Sequence, residues 1–155
     1  MSAPETERRA SPRAPRESRH HGRETAVQML YQWEVGKASM VEVRKTFWRG
    51  PAAAEEMPEE QRAFAMLLAD GVVNHVAAID PLIAEAAQHW RLERMNVMDR
   101  LILRLAVYEF VHQPETPAKV VINEALELAR TFSNDDSVRF INGILDGIRR
   151  KLERE

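Results

Sequence analysis

A segment near the middle of the chain carries apolar residues on almost every side of a helix. Between Val97 and about Val111, helical spacing distributes these apolar side chains around the axis: Met98, Leu101, Ile102, Leu103, Leu105, Ala106, Val107 and Phe110. A helix that is apolar all round is buried by other elements. Arg104 interrupts the segment, which is also shorter than the about 18–20 apolar residues of a membrane span. We therefore expect a central helix inside a soluble protein.

Amphipathic patterns on both sides of this segment predict further helices. Apolar residues recur at i, i+3, i+4 and i+7, and no alternating strand pattern bounded by hairpin turns is present. Ser39 and Glu42 form a capping box, and Asp80-Pro81 reads as the start of a separate helix that reaches about Trp90. The predicted helices begin near these residues: Arg23, Ser39, Pro58, Asp80, Asn96, Thr116 and Asp135. The sequence thus predicts an all-α bundle of about seven helices.

Two glycines affect the predicted helices, one at a helix end and one inside a helix. Gly36 follows the first one and is a plausible C-cap. Gly71 lies inside the third, where it costs about 1 kcal/mol relative to Ala unless close packing requires it.

Charge is distributed unevenly along the chain. Residues 1–23 contain six arginines and three glutamates, a net charge of +3, whereas the whole chain carries −2. Residues 1–18 include three prolines and have too few large apolar residues to offset the entropy of ordering. We therefore predict a flexible basic arm over 1–18 and a single helical domain over 19–155. A basic segment on an acidic body points to a polyanion such as nucleic acid.

Several functional classes lack support in the sequence. The chain has no cysteine, which excludes disulfide scaffolds and thiolate metal sites. The GxxxxGK[ST], GxGxxG, HExxH and GxSxG motifs are all missing, so an enzyme is not expected. Residues 1–23 lack the apolar core of a signal peptide. We expect a cytoplasmic protein with no catalytic residues, no cofactor, no metal site and no membrane association.

Phe140 departs from the apolar stripe of the last predicted helix. At about 100° per residue, its side chain points roughly 120° away from the centre of that stripe. An aromatic ring in this position, shortly after Asp135-Asp136, can stack on an RNA base. The alternative is that Phe140 packs against a neighbouring helix beside Ile144.

Cationic residues where the arm meets the first helix are the second candidate site. Arg19, His20, His21 and Arg23 can neutralise phosphates, helped by the N–H groups at a helix start. The alternative is a solubilising tail without a ligand. Arg100 and Arg104 on the central helix either pair with acidic residues or form a basic floor for RNA.

Three segments resemble the NusB family of transcription antitermination factors. They are RETAVQMLYQW at residues 23–33, MDRLILRLAVYE at residues 98–109, and the long C-terminal block at residues 116–147. That block contains TPAKVVINEA, LARTF and DDSVRFINGILD. The resemblance extends over about residues 19–150, and residues 1–18 have no clear counterpart.

The resemblance implies two packed helical halves and no catalytic activity. It also implies two partners, namely the boxA sequence of nascent single-stranded RNA and the ribosomal protein NusE. Together they would act with RNA polymerase in ribosomal RNA operons, and the protein would be a monomer or a homodimer. Two alternatives remain, a helical interaction module without specific RNA binding and a NusB-like domain of an RNA methyltransferase. A standalone factor is expected.

The resemblance also assigns candidate residues. Those implied for RNA are Arg19, His20, His21, Arg23, Lys119, Asp136, Ser137 and Phe140. His20 and His21 stand where relatives commonly carry Arg, which makes that surface weaker or pH-sensitive by comparison. The candidates for the protein-partner side are Tyr31, Glu85, Gln88 and Asp99.

Overall fold

Six α-helices account for most of the part of the chain that the structure describes. The computed structural model describes residues 13–48, 57–88 and 90–154, and within these ranges it contains no β-strand. The helices are α1 (Arg13–Val35), α2 (Met40–Phe47), α3 (Glu59–Ala86), α4 (Val97–His112), α5 (Ala118–Phe132) and α6 (Asp135–Lys151). A 3-10 turn, Leu92–Arg94, precedes α4. The predicted all-α fold is confirmed.

Helix α4 lies at the centre of the bundle. It packs against α1 and α3 on one side and against α5 and α6 on the other. Every residue from Leu101 to Phe110 is buried, including Arg104 and Glu109. The chain therefore forms two halves, α1–α3 and α4–α6, and α4 supplies much of the contact between them.

Side-chain caps begin three of the helices. The Ser39 hydroxyl accepts from the Glu42 N–H at 3.2 Å, and Asn96 Oδ1 accepts from the Met98 N–H at 2.8 Å. Asn134 Oδ1 accepts from the Ser137 N–H at 2.9 Å at the start of α6. Each bond satisfies an N–H that has no partner within its helix. The helix starts predicted at Ser39 and Asn96, and the interruption around Asn134, are confirmed.

The prediction that Asp80-Pro81 opens a separate helix is wrong. Helix α3 continues through Pro81 to Ala86, so the described residues hold six α-helices where seven were predicted. Ile79 and Ile83 are buried on either side of the proline, and the Asp80 carboxylate binds the Arg104 guanidinium on α4. Tertiary packing and this ion pair outweigh the about 3 kcal/mol that a proline costs inside a helix.

The predicted basic arm overlaps the first helix. Helix α1 begins at Arg13, so residues 13–18 of the predicted arm belong to this helix. Residues 1–12 of the arm lie outside the described residues. Gly36 follows the last residue of α1, but the left-handed conformation falls on Lys37, with φ 52°.

Gly71 allows α3 to approach α4 closely. A Cβ atom at this position would lie 2.2 Å from the Tyr108 ring, inside van der Waals contact. The close packing that justifies a glycine within a helix is therefore present. By length and composition α3 is apolar enough to cross a membrane, but it packs against α1 and α4 as a core helix.

Candidate nucleic-acid interface

The start of α6 and the segment before α4 enclose a cavity of about 330 Å³, here called the aromatic pocket. Its lining residues are Trp90, Arg94, Met95, Asn96, Asp99, Asn134, Asp136, Ser137 and Phe140. Phe140 is half-buried, and its ring packs edge-to-face with Trp90 at a centroid distance of 5.9 Å and an angle of 74°. Phe140 thus contacts a neighbouring segment, as in the packing alternative, and also faces a pocket.

A buried hydrogen-bond network forms the floor of the aromatic pocket. The two carboxylate oxygens of Asp99 accept from the hydroxyls of Ser133 and Ser137 at 2.9 and 2.8 Å. Asp99 and Ser137 are almost fully buried. Asp99, a candidate for the protein-partner side, is therefore buried and anchors the start of α6. Ser137 lines the pocket as predicted, but its hydroxyl is committed to Asp99.

Asp136 lies at the mouth of the same pocket. Its carboxylate pairs with Arg139 at 2.7 Å, and both side chains are largely exposed. The structure thus brings Asp136, Ser137 and Phe140 together, as the resemblance implied. Sequence reasoning missed Trp90, which is 58% exposed in the connection between α3 and α4. The sequence did contain a signal for this residue. Trp90 is a large aromatic residue at the end of a predicted helix, and it does not belong to an apolar stripe.

The second candidate region is the junction face, defined here as Arg16, Arg19, His20 and His21 on α1. Arg16 and Arg19 are exposed, and the Arg19 guanidinium lies 5.2 Å from the centroid of the Phe64 ring. Both histidines have acidic neighbours. Nδ1 of His20 lies 3.3 Å from Glu124, and Nδ1 of His21 lies 2.9 Å from Glu24. Among the described residues, no carboxylate forms an ion pair with Arg16 or Arg19.

Arg23 does not lie on the junction face, although it was predicted to bind RNA. Its guanidinium is 3% exposed and binds Glu109 of α4 through two hydrogen bonds of 2.8 and 2.9 Å, with Glu124 of α5 at 3.1 Å. Burial opposes the charge, but the two carboxylates outweigh it and raise the pKa of Arg23. The prediction is wrong because α1 turns this side chain toward the core, where it joins α1, α4 and α5.

Arg100 and Arg104 follow the ion-pairing alternative. Both guanidinium groups bind Glu34 of α1, and Arg104 also holds Asp80 of α3 through two bonds of 2.8 and 2.9 Å. Arg104 is buried and Arg100 is half-buried. They connect helices of the bundle and do not form a basic floor for RNA.

A polar groove of about 440 Å³ borders the junction face at His21. Its lining residues are His21, Glu24, Thr25, Gln28, Met57, Pro58, Gln61, Thr131 and Phe132. The groove ends at the last turn of α5, and the next residue, Ser133, hydrogen-bonds Asp99 beneath the aromatic pocket. The junction face and the aromatic pocket are therefore neighbours around the α5–α6 connection.

The remaining candidates lie elsewhere. Lys119 is exposed on the first turn of α5 beside Arg149, and it lines neither the groove nor the aromatic pocket. Tyr31 is 41% exposed on α1, whereas Glu85 and Gln88 are exposed near the end of α3, where Glu85 pairs with Lys151. Within the described residues, no cluster of three or more His, Asp or Glu side chains could hold a metal ion.

Comparison with known proteins identifies the relatives of this fold. The model of the NusB family matches residues 20–150. The chain is 49% identical over 138 residues to the transcription antitermination protein NusB of Koribacter versatilis, covering 89% of this chain and 92% of the relative. It is 44% identical over 135 residues to the corresponding protein of Solibacter usitatus, covering 87% and 90%.

Solved structures agree with this similarity. T. maritima NusB superposes with a TM-score of 0.75 at 28% identity, covering 86% of this chain and 91% of that protein. A crystal structure of antitermination factors NusB and NusE in complex with dsRNA contains a chain with a TM-score of 0.77 at 23% identity. The overlap covers 87% of this chain and 98% of that one, which shows a shared fold.

Proposed function

The chain belongs to the NusB family, and we propose that it is a transcription antitermination factor. In this proposal it binds boxA-type single-stranded RNA together with the ribosomal protein NusE, in the cytoplasm. The complex helps RNA polymerase to read through terminators in ribosomal RNA operons. The activity is one of binding, without a chemical step or a cofactor.

The observation that carries the proposal is that the aromatic pocket, the polar groove and the junction face lie near one another around the α5–α6 connection. Single-stranded RNA is bound by proteins that combine cations along its backbone with aromatic rings for its bases. Here Phe140 and Trp90 supply the rings, and Arg16 and Arg19 of the junction face supply exposed cations. The polar groove is lined by glutamine, threonine and histidine side chains that can hydrogen-bond to RNA.

The charge distribution supports recognition shared with a second protein. Glu24 and Glu124 offset the histidines of the junction face, and Arg139 offsets Asp136 beside Phe140. Among the described residues, the proposed RNA interface therefore has few exposed cations without a nearby carboxylate, so few of them can bind phosphates. Because phosphate contacts supply most of the sequence-independent affinity, binding by this chain alone is expected to be modest and to increase when NusE is present.

The proposal is tested by titrating labelled boxA-type RNA and a scrambled RNA of equal length and composition. Each titration is run with and without purified NusE. We expect preferential binding of boxA-type RNA, strongest with NusE present. Equal binding of the two RNAs in the presence of NusE would contradict the proposal, and binding of NusE without any RNA preference would favour an interaction module.

A further inference from the structure

We propose that the aromatic pocket holds one unpaired nucleobase, with Trp90 as a second stacking residue and the amides of Asn96 and Asn134 as its hydrogen-bond donors. The inference rests on the proposed RNA-binding function and deepens it. It adds three residues, none of them among the candidates predicted from the sequence. The base that fits best carries carbonyl oxygens, as uracil does.

Trp90 has the exposure and the position expected of a stacking residue. It is 58% exposed, which is the largest value among the large exposed apolar side chains of the described residues. Its ring and that of Phe140 are nearly perpendicular, at 74°. In an edge-to-face pair, the ring that presents its edge keeps both of its own faces uncovered by the partner ring. The partner ring thus leaves at least one face of Trp90 uncovered, and both rings line the same pocket.

Helix capping fixes the orientation of the two asparagine side chains. Asn96 Oδ1 accepts from the Met98 N–H, and Asn134 Oδ1 accepts from the Ser137 N–H. Because an amide oxygen must face each of these donors, the NH₂ group of each asparagine faces away from its cap. Both residues line the aromatic pocket. Each NH₂ group can therefore donate a hydrogen bond to a ligand in the pocket.

The acidic groups of the pocket are already engaged. Both oxygens of Asp99 accept from serine hydroxyls, and the Asp136 carboxylate pairs with Arg139. Arg94 adds further N–H donors to the lining. Amide and guanidinium donors thus line the cavity beside Asp99, whose two oxygens both accept from serine hydroxyls. This arrangement favours a base with projecting carbonyl oxygens, of which uracil has two and adenine has none.

The test compares Trp90→Ala, Trp90→Phe and a control, Leu67→Ala, in RNA titrations with NusE present. Leu67 is a comparably exposed apolar residue, 47% exposed, on α3 and outside the pocket. We expect Trp90→Ala to weaken boxA-type RNA binding by about 5- to 140-fold, the range for losing one base stack. Trp90→Phe should restore most of the affinity, and Leu67→Ala should match the wild type. Equal affinities for Trp90→Ala and Leu67→Ala would overturn the inference.

A second readout does not depend on the alanine variant folding. RNA stacked on Trp90 should quench tryptophan fluorescence in the wild type, and the quenching should be largely lost in Trp90→Phe while labelled RNA still binds. Unchanged quenching in Trp90→Phe would overturn the role of Trp90. Oligo-U should compete for the site better than oligo-A, and equal competition would overturn the carbonyl preference. The proposed function fails separately, if the wild type does not distinguish boxA-type from scrambled RNA.

Discussion

The junction face and the aromatic pocket differ in how their functional side chains are held in place. At the junction face, exposed arginines extend from α1, and Glu24 and Glu124 lie beside the two histidines. In the aromatic pocket, a buried Asp99–serine network and two asparagine caps position the rings of Phe140 and Trp90. The first region is suited to attracting a charged backbone, whereas the second is suited to distinguishing a base. Mutations can separate these two contributions.

The largest effect is expected for Arg23→Ala, which tests where the junction face ends. Removal of the guanidinium leaves Glu109 buried without its partner, so the free energy of unfolding should fall by about 3–5 kcal/mol. Denaturant unfolding followed by circular dichroism measures this change. Arg19→Ala, on the same helix but exposed, is the matched control and should change stability little. A stable Arg23→Ala protein with reduced RNA affinity would instead indicate that Arg23 contacts RNA together with the residues of the junction face.

The next effect concerns the aromatic pocket. Phe140→Ala should weaken RNA binding by about 1–3 kcal/mol through the loss of base stacking, while the helical content stays unchanged. Fluorescence anisotropy with labelled boxA-type RNA measures the affinity. RNA affinity equal to that of the wild type would show that Phe140 does not stack on RNA.

The salt dependence of binding should distinguish the two regions. Arg19→Gln should lower the slope of log K against log salt by about 1, as expected for the loss of one phosphate contact. Deletion of residues 1–12, which leaves α1 complete, should lower the slope further, since that segment contains Arg8 and Arg9. Phe140→Ala should weaken binding without changing the slope. The same slope in all four proteins would show that the exposed arginines do not contact RNA.

The smallest effect is on the stability of the scaffold outside both regions. Burial and the neighbouring His75 lower the pKa of His112, whose ring lies 4.1 Å from that of His75. A lowered pKa means that the folded state resists protonation. The stabilisation is complete above the unfolded value of about 6.5 and is lost as the pH falls through the folded value. Stability should therefore decrease slightly in mild acid, and His112→Gln should reduce this decrease in urea unfolding curves.

Local signals in the sequence predicted much of the fold. Ser39 and Asn96 cap their helices as expected, and the uniformly apolar segment is the buried α4. The predicted break at Asp80-Pro81 is wrong, because Arg104, 24 positions beyond Asp80, holds Asp80 in α3. The preference of a dipeptide is local, whereas the ion pair that overrides it depends on the fold.

The candidate site was predicted less completely, for a related reason. Periodicity showed that Phe140 leaves the apolar stripe, but it could not show that Trp90, from a different segment, faces the same cavity. Composition placed Arg23 with the other arginines of the basic segment. Its true partners, Glu109 and Glu124, are far away in sequence. Whether an arginine faces solvent or the core depends on which carboxylates the fold brings to it.

The Arg23 ion pair has a mechanical consequence. It fastens α1 to α4 and α5, across the seam where the two halves meet. Arg19 and Arg16 lie about one and two turns before Arg23 on the same helix, so their position relative to α4 and α5 depends on this ion pair. If the two halves separated at this ion pair, Arg16 and Arg19 would move relative to the groove. The position of these exposed cations thus depends on the packing of the whole bundle.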